Sequence, residues 1–316
     1  MAGDVTSMFR AAVQSGRLDL PVPGSGRTWE RWLAFADLAG EDLSLARLAE
    51  GHADAAAILA EVAGTGPEPG QLWGVWASNP PGPALSAART GSGWRLRGTK
   101  QYCSGARACT DALVTAVADD GMRLFAVAAQ RLEPRLGTWP AVGMAASDTL
   151  DVGFPDVPAE PLGSPGAYTD RPGFSHGGVG VAACWYGGAR AAGHTLLAAA
   201  AKRDVGPHAL AHLGAVDVEL GAARAALWQA ADEIDADPAD VRKAGPARAL
   251  RVRALVESAA TEVLGRVGRA LGAGPLGHDG AHARTVADLA VYLRQHHAER
   301  DLAALGALAA EQGTGW

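Results

Sequence analysis

The chain has 316 residues, 48% of them hydrophobic and 20% charged, with a formal net charge of −6. That balance excludes a disordered chain and argues against a nucleic-acid binder, which presents a basic patch or domain. Three cysteines, Cys103, Cys109 and Cys184, are too few for a disulfide framework, and none pairs at metal-ligand spacing; a reducing, cytoplasmic setting without a structural metal is expected. The opening residues lack a basic region followed by an apolar run, so no signal peptide is expected. The most apolar stretch, 181–201, is broken by Tyr186, Gly187, Gly188, Arg190 and His194 and is not expected to span a membrane.

Residues 1–66 are rich in alanine and leucine. Trp29, Trp32, Leu33, Phe35, Ala36 and Leu38 recur at helical spacing, and Leu43, Leu45, Leu48, Ala55, Ile58 and Leu59 continue the pattern. Two or three helices are expected, with Thr28 as an N-cap after the breaker 21–27. From 71 to 162, glycine and proline punctuate short apolar runs: Leu72–Ala77, Ala84–Arg89, Trp94–Arg97, Ala112–Ala118, Arg123–Ala129 and Leu150–Phe154. Such spacing predicts a β-barrel or sandwich, with Asp119-Asp120-Gly121 as a hairpin turn. A glycine-rich entry segment, 166–180, leads into a second helical region.

In that region the stripes Leu213, Val216, Leu220, Ala223, Leu227, Ala230 and Val252, Val256, Ala259, Val263, Val267 each predict a helix with one buried face, as do Val286, Leu289 and Leu293. The expected class is α+β: an N-terminal helical domain (1–68), a central β-domain (69–163) and a C-terminal four-helix bundle (164–316).

The most informative stretch is 93–106. It reads as two short strands around a Gly98 turn, ending at Tyr102, Ser104 and Gly105. Strand neighbours two apart share a face. Tyr102 can then cover a flat ring while Ser104 hydrogen-bonds its edge.

Three segments together resemble the acyl-CoA dehydrogenase family. They are 93–105, ending in an aromatic-x-hydroxyl motif; 143–158, with Gly-x-x-x-Ser-x-Thr and a following Phe-x-x-Val-Pro; and 297–306 on the last helix. The resemblance runs from about Trp29 to Gly306 and implies the same order of helical, β and helical regions. It also implies a non-covalently bound FAD, with FMN as the alternative, and a homodimer or homotetramer. Tyr102 and Ser104 would lie at the flavin ring, Ser104 near N5. Ala77 and Ser78, in the place of the family's Thr-Glu-Pro segment, would offer backbone N–H groups and a hydroxyl to the pyrimidine edge. Lys202 and Arg203 take the place of the arginine that reaches the pyrophosphate across a subunit interface. Arg269 with Gly272 and Gly274 is similar to the loop that packs on the adenosine-diphosphate portion.

The resemblance fails at the catalytic base. Where much of the family carries a glutamate on its late helices, this chain reads Gln295-His296-His297-Ala298. His296 follows Leu289 and Leu293 at helical spacing and is expected to face inward, and a histidine can act as a base near neutral pH. The N-terminal region is also short, with only 77 residues before Ser78. The implied activity is flavin-dependent α,β-dehydrogenation of an acyl thioester or related small molecule, with an electron-transfer partner. A second branch of the same fold comprises monooxygenases served by a flavin reductase, for which His52 would join His296 at the ring; a third reading is a catalytically silent scaffold.

Overall fold

The computed structural model describes residues 2–82, 84–91 and 93–312. Its helices are α1 (Ala2–Gln14), α2 (Thr28–Glu41), α3 (Leu43–Ala63), α4 (Pro172–Lys202), α5 (Gly206–Ala236), α6 (Gly245–Leu271), α7 (Gly274–His278), α8 (Gly280–Tyr292) and α9 (Glu299–Gln312). The strands are β1 (Trp73–Trp76), β2 (Ser86–Thr90), β3 (Gly93–Cys103), β4 (Asp111–Ala118), β5 (Gly121–Ala128), β6 (Glu133–Arg135) and β7 (Leu150–Leu162). Among the described residues, no helix is long and apolar enough to cross a membrane.

The chain forms two compact units. The first comprises Met1–Leu20, Arg47–Ala141 and Ala145–Phe174; the second comprises Pro21–Ala46, Val142–Met144 and Ser175–Trp316. The N-terminal helices are divided between them: α1 and most of α3 belong to the first unit, α2 to the second.

The first unit is built on a mixed sheet in the order β1-β4-β2-β3-β7-β5. β4 also pairs with β5, so the sheet closes into a small barrel, which leaves fewer open edges. Ala118 pairs with Gly121 across Asp119-Asp120, and Gly121 has φ +124°, so the expected hairpin forms. Gly98 does not turn the chain. β3 runs unbroken from Gly93 to Cys103, and Gly98 (φ +125°) is absorbed as a register shift against β7 between Leu96 and Gly98. A glycine in a strand marks a bulge as readily as a turn.

β6 carries Pro134 and pairs with β7 alone, an edge position where a missing N–H is tolerated. Ala55, Ile58 and Leu59 of α3 pack with Trp73, Leu113, Leu124 and Leu162 to form the core of this unit.

The second unit is helical. α5 and α6 pack together, α5 burying Val216, Ala223, Leu227 and Ala230 and α6 burying Val252, Val256, Ala259 and Val263. Thr28 is the first residue of α2 rather than its cap. The capping carboxylate comes from α5: Asp235 accepts the Thr28 N–H at 3.0 Å and its hydroxyl at 2.6 Å. α4 already begins at Pro172, so the glycines at 173–180 are helical rather than an entry loop. Its small residues serve contact. A Cβ at Gly187 would stand 2.1 Å from the Ala36 carbonyl oxygen of α2, and one at Gly193 would stand 3.0 Å from Val216.

Candidate functional site

In the first unit, the end of β3 departs from regular strand geometry. Tyr102 has φ +59°, and the β3–β7 register shifts between Lys100 and Cys103. A left-handed tyrosine costs of order 1–3 kcal/mol and cancels the two-residue alternation. Tyr102 and Ser104 therefore do not share a face, contrary to the expectation from spacing. Tyr102 is 53% exposed, its ring perpendicular to Trp139 with centroids 6.3 Å apart.

Ser104 is buried. Its Oγ lies 2.9 Å from Thr149 Oγ1, which lies 2.7 Å from Ser147 Oγ, while its carbonyl accepts the Trp76 indole N–H at 2.9 Å. Gly105, at φ +68°, has no room for a Cβ, which would stand 2.9 Å from Cys109 Sγ and 3.1 Å from Leu48. The serine is thus held by both hydroxyls and backbone, with glycine the residue that fits behind it.

Ala77 and Ser78 follow β1 in a loop joined to the same strand end. The Ser78 hydroxyl donates to the Gln101 carbonyl at 2.6 Å. Its proton is therefore engaged, and what the loop keeps for a ligand is backbone N–H groups and the serine lone pairs, a correction to the expected hydroxyl donor. Lys100, which sequence reasoning passed over, fastens this loop. Its buried ammonium donates to Asn79 Oδ1 at 2.9 Å and to the Thr115 carbonyl and hydroxyl at 2.8 and 2.9 Å; burial pushes its pKa down to about 8. A lysine inside an otherwise alternating strand was the available signal.

His52 is a core residue. It is 5% exposed, accepts the Trp73 backbone N–H on Nδ1 at 3.2 Å and meets Phe9 edge-on at 6.0 Å. Burial lowers its pKa to about 4, so the ring stays a neutral acceptor well below the usual histidine range. All three cysteines are buried and none is in a disulfide, and burial raises the Cys103 and Cys109 thiols.

In the second unit, Lys202 ends α4 with Arg203 next to it, both exposed. Cations there also suit the negative end of the helix dipole. Arg269 lies in the last turn of α6, 3.4 Å from Glu262, and Gly272 (φ +65°) ends that helix. A Cβ at Gly272 or Gly274 would meet nothing within 4 Å, so backbone conformation is the requirement at Gly272 and neither glycine is sterically demanded. No hydrogen bond or ion pair among the described residues links Lys202 or Arg203 to Arg269 or His296.

His296 is not on a helical stripe. α8 ends at Tyr292, Leu293–Gln295 form a 3-10 turn, and His296 is extended at φ −83° and ψ 129°. It is nevertheless only 6% exposed, and its Nε2 is buried without a hydrogen-bond partner. Burial is the chief cause of its lowered pKa; Asp301 and Glu257 oppose the shift, and Arg253 and His297 reinforce it.

Asp288, earlier on α8, accepts the Met144 N–H at 2.5 Å, and burial raises its pKa to about 6. A Cβ at Gly143 would stand 2.2 Å from the Ala287 carbonyl oxygen, which accounts for the glycine opening the segment 143–158. A cleft of about 590 Å³ in the same unit is lined by His194, Thr195, His282, Arg284 and Asp288 among others, and by none of the expected site residues.

No family model matches the chain, and no curated protein does. Solved structures do. KijD3, in complex with FMN and dTDP-3-amino-2,3,6-trideoxy-4-keto-3-methyl-D-glucose, superposes with a TM-score of 0.81 at 22% identity, over 98% of this chain and 86% of its own. Dibenzothiophene monooxygenase TdsC from Paenibacillus sp. A11-2 gives 0.73 at 19% identity, over 96% of this chain and 95% of its own. Methanesulfinate monooxygenase MsuC from Pseudomonas fluorescens gives 0.76 at 18%, over 100% and 97%. The chain therefore has the fold shared by these flavoenzymes, that of the acyl-CoA dehydrogenases.

Proposed function

We propose that the chain is a flavin-dependent monooxygenase, acting with reduced flavin and molecular oxygen on a small molecule. The observation that carries this reading is His296: in the segment that by resemblance would supply a thioester dehydrogenase's carboxylate, the chain has instead a buried imidazole whose Nε2 makes no hydrogen bond. The solved structures sharing the fold support the same direction, since two of them are monooxygenases by name.

The residues present fit a flavin. Tyr102 and Trp139 offer aromatic surface, and Ala77 and Ser78 offer backbone donors beside it. A hydroxyl donates one proton and accepts two. With Thr149 donating to Ser104, the Ser104 proton is left for an acceptor outside the chain of hydroxyls. Lys202 and Arg203 suit a phosphate, as do the backbone groups at Gly272 and Gly274 beside Arg269. Lysine lacks the bidentate fork of arginine, so Arg203 would supply the geometry and Lys202 the charge. The flavin is FMN or FAD and, when bound, would supply the redox chemistry; this chain's residues hold and orient it, and His296 takes or returns a proton at its ring nitrogen. In this reading the protein is a cytoplasmic homodimer or homotetramer served by a flavin reductase.

Two arms separate this from dehydrogenation. Flavin-loaded protein exposed anaerobically to acyl thioesters of varied length should stay yellow. With NADH and a flavin reductase it should oxygenate at least one of a heteroaromatic sulfide, a sulfinate and an amino-sugar nucleotide. Bleaching by a thioester would replace the proposal with a dehydrogenase.

A further inference from the structure

We propose that Asp301 is a positioning residue for His296, a carboxylate shared between that buried ring and the exposed ring of His297. The inference rests on the reading of His296 as the acid–base group. Asp301 lies in the first turn of α9 and its side chain is 13% exposed. One oxygen accepts the His297 backbone N–H at 3.0 Å, and the carboxylate stands 3.3 Å from His297 Nδ1 and 4.0 Å from His296 Nε2.

The turn carrying these groups is fixed on its other side by α6. Arg253 donates to the Gln295 carbonyl at 2.7 Å and to the Gly178 carbonyl at 2.8 Å, and its guanidinium lies over the Trp185 ring at 4.8 Å. Glu257 is paired with Arg294. The backbone on both sides of His296 is thus anchored, and Asp301 is the carboxylate nearest its unpartnered nitrogen.

The chemistry follows from charge. A buried imidazole resists protonation because its cation loses solvent, and a carboxylate about 4 Å away restores part of that loss. The charged groups facing His296 are Asp301 and Glu257, which favour its cation, and Arg253 and His297, which oppose it. Burial alone would raise Asp301, but the His297 N–H, both imidazoles and Arg253 outweigh it, so the carboxylate stays ionised at neutral pH. His297, on the solvent side of the same carboxylate, is placed to exchange protons with water.

The test is a histidine-labelled NMR titration of the full-length protein, with the His296 signal identified by its loss in His296→Gln. Asp301→Asn keeps an oxygen that can accept the His297 N–H, so α9 should still start normally, as circular dichroism would verify. The His296 midpoint should fall by about 1 pH unit or more in this variant, and Asp301→Glu should restore it. The low-pH limb of turnover should move with it. An unmoved midpoint in folded Asp301→Asn overturns the proposal, even where His296→Ala is inactive. A moved midpoint with full turnover in His296→Ala overturns instead the acid–base reading and the positioning role with it, leaving an electrostatic pair.

Discussion

Replacing His296 by alanine should lower turnover by about 10²- to 10⁴-fold, the range that one positioned acid–base group contributes, while leaving flavin affinity unchanged. The expectation follows from placement. The ring is buried, its Nε2 has no hydrogen-bond partner, and Arg253 and a 3-10 turn fix the backbone that carries it. His52, by contrast, spends Nδ1 on the Trp73 backbone N–H.

The pH dependence has a definite sign. Burial holds the His296 pKa below the ordinary histidine value. As a base, the neutral ring is the active form, so the rate should rise through that lowered pKa and be level above it. His296→Ala should lack this limb. Steady-state rates against pH, with flavin binding measured alongside, check both statements; wild-type turnover in the variant would remove His296 from the mechanism.

Gly187→Ala should destabilise the second unit by about 3 kcal/mol or more, at the upper end of what overpacking costs. The added Cβ would stand 2.1 Å from the Ala36 carbonyl oxygen and 2.8 Å from the Ala36 carbonyl carbon. Both are backbone atoms of α2, so relief requires the helix to move rather than a side chain to rotate. Gly214→Ala on α5 is the control. Nothing lies within 4 Å of that Cβ position, so replacing a helical glycine there should stabilise by up to about 1 kcal/mol. Chemical denaturation of the two variants beside the parent measures the difference; equal stability for Gly187→Ala would mean that α2 and α4 do not depend on that close approach.

What could be read from the sequence was what periodicity and punctuation encode. The α6 stripe is buried throughout, the α5 stripe is buried at Val216, Ala223, Leu227 and Ala230 with Leu213 and Leu220 half-buried, and the Asp119-Asp120-Gly121 hairpin forms. Features set by tertiary partners could not be read in this way. Gly98 has the same residue type whether it turns a chain or bulges a strand, and only its pairing with β7 decides. Alternation puts Tyr102 on the Ser104 face only if the backbone is extended, and its left-handed φ removes that condition. Thr28 looks like a cap from its own segment, but the cap comes from Asp235, more than 200 positions on. Spacing from Leu289 and Leu293 puts His296 on a helical stripe; the helix ends before it, and the ring is buried through the turn instead. Lys100 and Asp301 both lie in segments that carry the resemblance, but their importance lies in what they touch, Lys100 in Asn79 and Thr115 and Asp301 in the two histidines, and those partners are set by the fold.

The central claim is that a flavin ring lies against the end of β3, and titration of FMN and FAD into the purified protein tests it most directly. At least one of them should bind saturably with a perturbed visible spectrum, and Tyr102→Ala should weaken that binding at least tenfold in a protein that remains folded. A colourless preparation that takes up neither nucleotide, or Tyr102→Ala binding as tightly as the parent, would contradict it.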